Sequence, residues 1–197
     1  CAQPSDNPFD PTPLPIRIRD TPPTLQEVEA AAKKVRDTAP GRDGIRARHF
    51  KHNPHLIKML WDLITEIWHT GKVPHAWTQT ILVTIPKKNG ATAWSAQRGI
   101  ALLSVASKVM TRVMLHRAAQ IPLLDLQFGF RRARGTWLPV AGLKFVQQQA
   151  RLKDGAIITF IDSEKAYDRI DRDTMMRILQ SRGFGPNTRA IMRAMYE

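Results

Sequence analysis

The sequence predicts an α+β fold, and three observations carry that expectation. Apolar residues recur at helical spacing in several segments. Two runs rich in β-branched residues, 79–85 and 156–162, read as strands. Helices and strands interleave without the regular βαβ period of a doubly wound sheet. The chain has 197 residues, of which 43% are hydrophobic, enough for one medium domain or two small lobes with a core.

The elements follow in order. Residues 1–23 carry Pro4, Pro8, Pro11, Pro13, Pro15, Pro22 and Pro23, a density that forbids a regular helix. They read either as an extended arm able to wrap a partner or as a disordered leader. Thr24 and Glu27 have capping-box spacing, and Leu25, Val28, Ala32 and Val35 continue a helix from there. A glycine-rich turn, Ala39-Pro40-Gly41-Arg42-Asp43-Gly44, ends it. A second helix runs from Pro54 to Thr70, with Asn53 as N-cap, proline at its first position and Gly71 at its end. Its Leu56, Leu60, Ile64, Ile67 and Trp68 are core candidates.

The strand at 79–85 leads into a basic turn, Pro86-Lys87-Lys88-Asn89-Gly90. A third helix covers 104–119, with Val105, Val109, Val113 and Leu115 apolar and Lys108, Arg112, His116 and Arg117 on its exposed face. Arg131, Arg132 and Arg134 cluster beside Phe128 and Phe130. A helix over 138–152, an Asp154-Gly155 turn, the strand 156–162, a helix over 172–182 stopped by Gly183, and a last helix from Pro186 complete the expected order.

Thirty Lys+Arg against 17 Asp+Glu give a net charge of +13, which points to a polyanionic partner. Nucleic acid is the commonest, and an anionic membrane surface is the rival. No apolar run approaches the ~18 residues of a bilayer span, and no charged-then-apolar leader opens the chain. The single cysteine, Cys1, excludes an internal disulfide and a cysteine metal cluster. An intracellular, reducing location, nucleus or cytoplasm, is expected. A start at Cys1 and a stop at Glu197 lead one to expect a fragment, a processed product or a partial gene product.

The sharpest chemical signal is Phe160-Ile161-Asp162-Ser163-Glu164-Lys165-Ala166-Tyr167-Asp168. A strand buried on both faces would deliver Asp162 at its C-terminal end, where a carboxylate on rigid backbone can hold a hard divalent cation. Phosphoryl transfer by the two-metal route needs several such carboxylates. The plainer alternative is that Asp162 caps the following turn. Asp168 and Asp171 read as residues that cap or solvate the next helix.

This stretch resembles the first catalytic motif of reverse transcriptases, in which an aspartate ends a palm strand and an Ala-Tyr or Ala-Phe pair follows. The resemblance is closest to non-LTR, LINE-type retrotransposon enzymes, with group II intron maturases more distant. "PPTLQEVEAAAKKVRDTAPGRDGI" from Pro22 looks like the family's N-terminal extension block, and "GKVPHAWTQTILVTIPKK", 71–88, like the next. "QRGIALLSVASKVMTRVMLHR", 97–117, is similar to the fingers motif, and "QFGFRRARGT", 127–136, to the Gln-x-Gly-Phe-Arg block. Five blocks in the family's order span nearly all of 22–197 and are jointly specific.

The resemblance implies a right-hand polymerase piece: a proline-rich arm (1–23), extension and fingers (24–153), and the start of a palm (154–197) whose ferredoxin-like sheet is truncated. It implies that Asp162 and the carbonyl of Ser163 bind Mg²⁺, and that Asp162 is catalytic. Tyr167 would pack under the incoming sugar, where a large ring excludes a 2′-hydroxyl and favours dNTPs. Lys87 and Arg98 would meet the triphosphate and stabilise developing charge. Lys108, Arg112, Arg117, Arg131, Arg132 and Arg134 would contact RNA or an RNA–DNA hybrid.

Departures accompany the match. Ala96-Gln97-Arg98 stands where the family has Asn-Tyr-Arg, and Gly135 where it has serine. The family's Ala-Asp-Asp box would fall beyond Glu197, and no Asp-Asp pair occurs within the chain, so the chain alone is expected to be inactive. A non-catalytic reverse-transcriptase derivative, serving as an RNA-binding or structural subunit of a larger ribonucleoprotein, is the alternative expectation.

Overall fold

The computed structural model describes residues 13–90, 92–93, 96–151 and 155–196. The first twelve residues of the expected arm, Leu152 at the end of the expected 138–152 helix, and Asp154 of the expected turn lie outside them. The described chain combines helices with one two-stranded sheet, the α+β mixture expected. Helices α1 (Leu25–Lys34), α2 (Ala47–Lys51), α3 (Pro54–Thr70) and α4 (His75–Thr78) precede strands β1 (Ile81–Pro86) and β2 (Gln97–Leu102). Helices α5 (Val105–Ala118), α6 (Trp137–Arg151), α7 (Arg172–Ser181) and α8 (Pro186–Tyr196) follow.

Local chemistry sets the ends of the helices. At α1 the Thr24 hydroxyl accepts the Glu27 N–H at 3.2 Å, and Glu27 Oε2 accepts the Thr24 N–H at 2.9 Å, closing the capping box. At α3 the Asn53 carboxamide oxygen accepts the N–H groups of His55 and Leu56. Gly71, at φ 69°, ends that helix in the left-handed conformation that glycine adopts without penalty.

The described residues of 1–120 and 171–197 form one compact unit and those of 121–170 a second. The first unit's core is built from Val28 and Ala32 of α1, Leu60, Ile64, Ile67 and Trp68 of α3, Val105, Val109, Met110 and Val113 of α5, and Ile191 of α8. Full burial of each aliphatic side chain is worth about 2 kcal/mol, so this helical cluster is the main source of stability. The assignment of 171–197 with 154–170 does not follow the packing, because α7 and α8 belong with the N-terminal helices. Leu115, expected in the core, is 70% exposed, while Arg117 occupies the core-facing position one turn beyond Val113.

Strands β1 and β2 pair antiparallel, from Ile81 opposite Leu102 to Pro86 opposite Gln97. The second strand was not expected: Gly99 and the small Ala101 weaken its local β signal, and pairing with β1 supplies what propensity does not.

The expected strand at 156–162 is not formed: these residues run irregular, with Ile157 97% and Phe160 79% exposed. The physical reason is the absence of a pairing partner. A β-branched run becomes a strand only when a neighbour takes its N–H and C=O groups, and among the described residues the sole sheet is β1–β2. No described residue of 121–170 is buried, so apolar packing does not shape this segment either.

Candidate nucleotide and nucleic-acid site

The β1–β2 hairpin brings together two of the candidate cations. Arg98 lies opposite Ile85, and the Lys87 N–H continues the ladder to the Ala96 carbonyl at 2.8 Å. Side chains two apart share a face of a strand, so Lys87 and Arg98 stand diagonally on one face, within reach of a single polyphosphate. Both are exposed.

A glycine turn braces the base of this hairpin. A Cβ on Gly41 would come within 2.6 Å of the Ser104 nitrogen, so only glycine fits against the start of α5. Asp43 accepts the Ile45 N–H at 3.0 Å and the Ser104 hydroxyl at 2.7 Å. Arg42 donates to the Gln79 side chain at 3.0 Å. With Ala47 and Phe50 turned into the core, Arg42, Arg48, His49, His52 and His55 are left exposed. From the sequence this segment is expected to hold only a turn and a helix start. The signal that would have found it is a run of eight basic residues and one acid between Arg42 and Lys58.

Lys108 and Arg112 are one turn apart on α5 and line an apolar groove of about 850 Å³ with Trp77, Met114, Leu115 and Met195. Arg117 departs from the expected exposed face. It is 8% exposed, donates to both carboxylate oxygens of Glu27 at 2.8 and 2.9 Å, and donates to the carbonyls of Arg19 and Thr21 at 3.1 and 2.6 Å. Its guanidinium carbon lies 5.2 Å from the Trp68 ring centroid. With its donors committed inside the protein, Arg117 has none turned to a phosphate, and its assignment to nucleic-acid binding is corrected to a structural one.

The hydrogen bonds from Arg117 hold the Glu27 carboxyl at a pKa of about 2, against an ordinary 4.5. A depressed acid stabilises the fold fully above its unfolded pKa, and that stabilisation is lost as pH falls through the folded value. Between pH 4.5 and 2 the protein is therefore expected to lose ~2 kcal/mol from this group, after allowance for partial solvent screening. Urea midpoints measured across that window test it: Glu27→Gln is expected to flatten the acid limb.

In the second unit, Arg131 donates to the Leu124 carbonyl at 2.7 Å, and Arg134 lies 3.8 Å from Asp125 and 5.8 Å from the Phe128 ring centroid. Arg132 is exposed. Phe130 and Ala133 sit at φ 58° and 60°, conformations that side chains other than glycine seldom adopt, and Phe130 projects into solvent. This mixture of guanidiniums and open aromatic rings is suited to stacking and phosphate contact.

Asp162 and Ser163 are exposed on the irregular stretch, and Tyr167 is 74% exposed in the turn that follows, which the Lys165 carbonyl closes by accepting the Asp168 N–H at 2.9 Å. Asp171 caps α7, accepting the Thr174 N–H at 2.7 Å, and hydrogen bonding from the Thr174 side chain, then from this N–H, lowers its pKa. Asp162 and the Ser163 carbonyl offer one carboxylate and one neutral oxygen. A divalent centre draws on more oxygen ligands than these, and no group of three His, Cys, Asp or Glu suited to a metal occurs among the described residues. The residues present do not by themselves fit a Mg²⁺ centre. The structure describes Asp162, Ser163 and Tyr167 in one unit and Lys87 and Arg98 in the other.

Among the described residues, no helix is long and apolar enough to cross a membrane. A sequence profile described as "Reverse transcriptase (RNA-dependent DNA polymerase)" matches residues 85–196. The chain is 28% identical over 158 residues to the Pol polyprotein of the type-1 retrotransposable element R2 of Nasonia vitripennis, covering 79% of this chain and 15% of that protein. It is 26% identical over 192 residues to the 149 kDa protein of transposon TX1 of Xenopus laevis, covering 90% of this chain and 14% of that protein. The R2 polyprotein of Popillia japonica is 25% identical over 167 residues, 83% of this chain and 23% of that protein. The chain thus spans less than a quarter of the length of these curated relatives. The profile covers more than half of the chain, and the matching relatives are proteins of non-LTR retrotransposons: the chain belongs to the reverse transcriptase (RNA-dependent DNA polymerase) family.

Proposed function

We propose that this chain is the fingers and the start of the palm of an RNA-directed DNA polymerase, contacting an RNA template or RNA–DNA hybrid and an incoming dNTP. The observation that carries the reading is the β1–β2 hairpin, whose end and second strand fall within the family match and which sets Lys87 and Arg98 diagonally on one face. Two fixed cations at that spacing suit a triphosphate, whose charge they would neutralise as it shifts during phosphoryl transfer. Lys108, Arg112, Arg131, Arg132 and Arg134 are the nucleic-acid contacts in this reading, and Arg117 is not among them. The division into fingers at 24–153 and palm start at 154–197 is a functional one, supported by the order of the family's blocks. Asp162 is the first catalytic carboxylate and Tyr167 the ring beneath the sugar. Reverse transcriptases depend on divalent metal as a family; further carboxylates would have to join Asp162 before the ion could be held.

Binding should release counterions from nucleic acid. For ~6 phosphate contacts, affinity for an RNA–DNA hybrid is expected to fall about 10³-fold between 50 and 200 mM salt. Fluorescence anisotropy measures this directly. Reversing the charges of Arg131, Arg132 and Arg134 is expected to weaken binding far more than reversing Lys33 and Lys34. Equal losses from the two sets would mean that the chain attracts polyanions through its +13 net charge alone. A non-catalytic, RNA-binding reading draws on the lack, among the described residues, of any group of three His, Cys, Asp or Glu around Asp162 suited to a metal; primer extension separates the two.

A further inference from the structure

Residues 14–23 run extended along the first unit, bonded on two sides at once. Toward the α7–α8 hairpin, the Leu14 N–H donates to the Ser181 carbonyl at 2.8 Å and the Ile18 N–H to the Gly183 carbonyl at 2.9 Å. Asp20 then caps α8 from 167 residues away. Its Oδ1 accepts the Thr188 N–H at 2.8 Å and the Thr188 hydroxyl at 2.6 Å, and its Oδ2 accepts the Asn187 N–H at 2.9 Å. These are the N–H groups that a local N-cap side chain ordinarily satisfies.

The sequence has made room for this remote cap. The residue before α8 is Gly185, which has no side chain to cap with, and a Cβ there would collide with the Asp20 carboxyl. Gly183, at φ 87°, likewise leaves space that the Ile16 carbonyl takes up. Toward the core, the indole N–H of Trp68 donates to the Asp20 carbonyl at 3.0 Å and that of Trp61 to the Pro23 carbonyl at 2.8 Å, while Arg117 holds the carbonyls of Arg19 and Thr21. Pro15, Pro22 and Pro23 keep the strap extended with little chain entropy left to lose.

The hairpin's own apolar attachment is limited to one side. Met176, Phe184 and Ile191 are buried, and Met192 and Met195 pack partly buried against the core. We propose that residues 14–23 are a latch: a strap that fastens the α7–α8 hairpin to the helical core through Asp20, and whose release frees that hairpin while α1, α3 and α5 stay folded. Phe184, Met192, Met195 and Tyr196 of the hairpin segment line the 850 Å³ groove, so release would also open the groove's apolar wall.

Amide hydrogen exchange on the full chain tests the latch. In Asp20→Ala, amides of 187–196 are expected to exchange about tenfold faster or more, with α1, α3 and α5 unchanged. A dye that fluoresces on apolar surface should brighten in the same variant. Unchanged exchange in α8, or equal acceleration in every helix, would overturn the proposal; the second result would make the strap an ordinary part of the core. If Asp20→Ala does not fold, Thr188→Val removes one of the three capping bonds and should accelerate α8 alone by a smaller factor. No acceleration in that variant would overturn the latch as well.

Discussion

Replacing Arg117 with methionine is expected to destabilise the protein by about 3–5 kcal/mol, the cost of breaking a buried pair from one side. Methionine matches the stem in length and packs against Trp68, so the loss reports on the guanidinium. The variant leaves Glu27, whose side chain is 21% exposed, with only the more exposed Arg19, 3.6 Å away, as a cation, and leaves the carbonyls of Arg19 and Thr21 without the guanidinium donors. Arg117→Lys keeps the charge, but one ammonium cannot span two carboxylate oxygens and two carbonyls, so a loss of about 2 kcal/mol is expected there. Urea unfolding with linear extrapolation gives both values. Pairing Arg117→Met with Glu27→Gln should recover part of the loss, because the stranded acid is removed together with its partner. A change under about 1 kcal/mol for Arg117→Met would show that water has replaced the guanidinium at small cost. The hybrid affinity of a folded Arg117→Lys chain should stay close to wild type, which separates this arginine from the surface cations.

Arg117 also shows what could be read in the sequence and what could not. Val105, Val109 and Val113 mark a stripe at intervals of four, and Arg117 is its next member. The stripe foretells burial, but the residue type argues for exposure. What decides is a partner 90 residues away in the capping box of α1, and no local pattern reveals that the carboxylate of Glu27 has this second use. The longer helices are legible because caps and periodicity are local: Thr24 with Glu27, Asn53 with Pro54, and Gly71 each act within one turn; the short α2 and α4, which hold only one turn each, were not expected. Strand pairing is not local. The stretch 156–162 has the stronger β composition and stays unpaired, whereas Gln97–Leu102, with a glycine inside it, pairs because β1 lies within reach. The arm was legible as extended from its prolines. Its docking was not, since a cap supplied by Asp20 to a helix at the other end of the chain leaves only the bare Gly185 as a trace. For the site, the family's blocks placed Lys87 and Arg98 in sequence, and the hairpin register placed them on one face.

Asp162 carries the other large effect. The 197-residue chain by itself is expected to give no primer extension at any supply of dNTP and divalent metal. In-line phosphoryl transfer in two-metal sites holds its ions ~4 Å apart with several carboxylates and the substrate's own phosphates. This chain supplies Asp162 on an exposed, irregular stretch, with no group of three acids or histidines gathered for a metal among the described residues, and with no Asp-Asp pair anywhere in its sequence. In a longer chain that provides the remaining carboxylates, Asp162→Asn is expected to lower polymerisation by at least about 10³-fold. Loss of one charged ligand removes several kcal/mol of stabilisation from the transition state, and each ~1.4 kcal/mol is a factor of ten in rate. Asparagine keeps the shape of the side chain, and because Asp162 is exposed its stability cost should be small. Unchanged urea unfolding beside lost activity would therefore assign the effect to charge. If Tyr167 packs beneath the sugar as proposed, Tyr167→Ala in the same longer chain should behave differently, retaining DNA synthesis while admitting ribonucleotides, because it removes bulk there and leaves the charges in place. Matched single-nucleotide incorporation with dNTP and rNTP measures both. Template-dependent synthesis by the purified 197-residue chain, abolished by Asp162→Asn, would show that its own residues complete the site; synthesis that survives Asp162→Asn in the longer chain would remove this aspartate from catalysis.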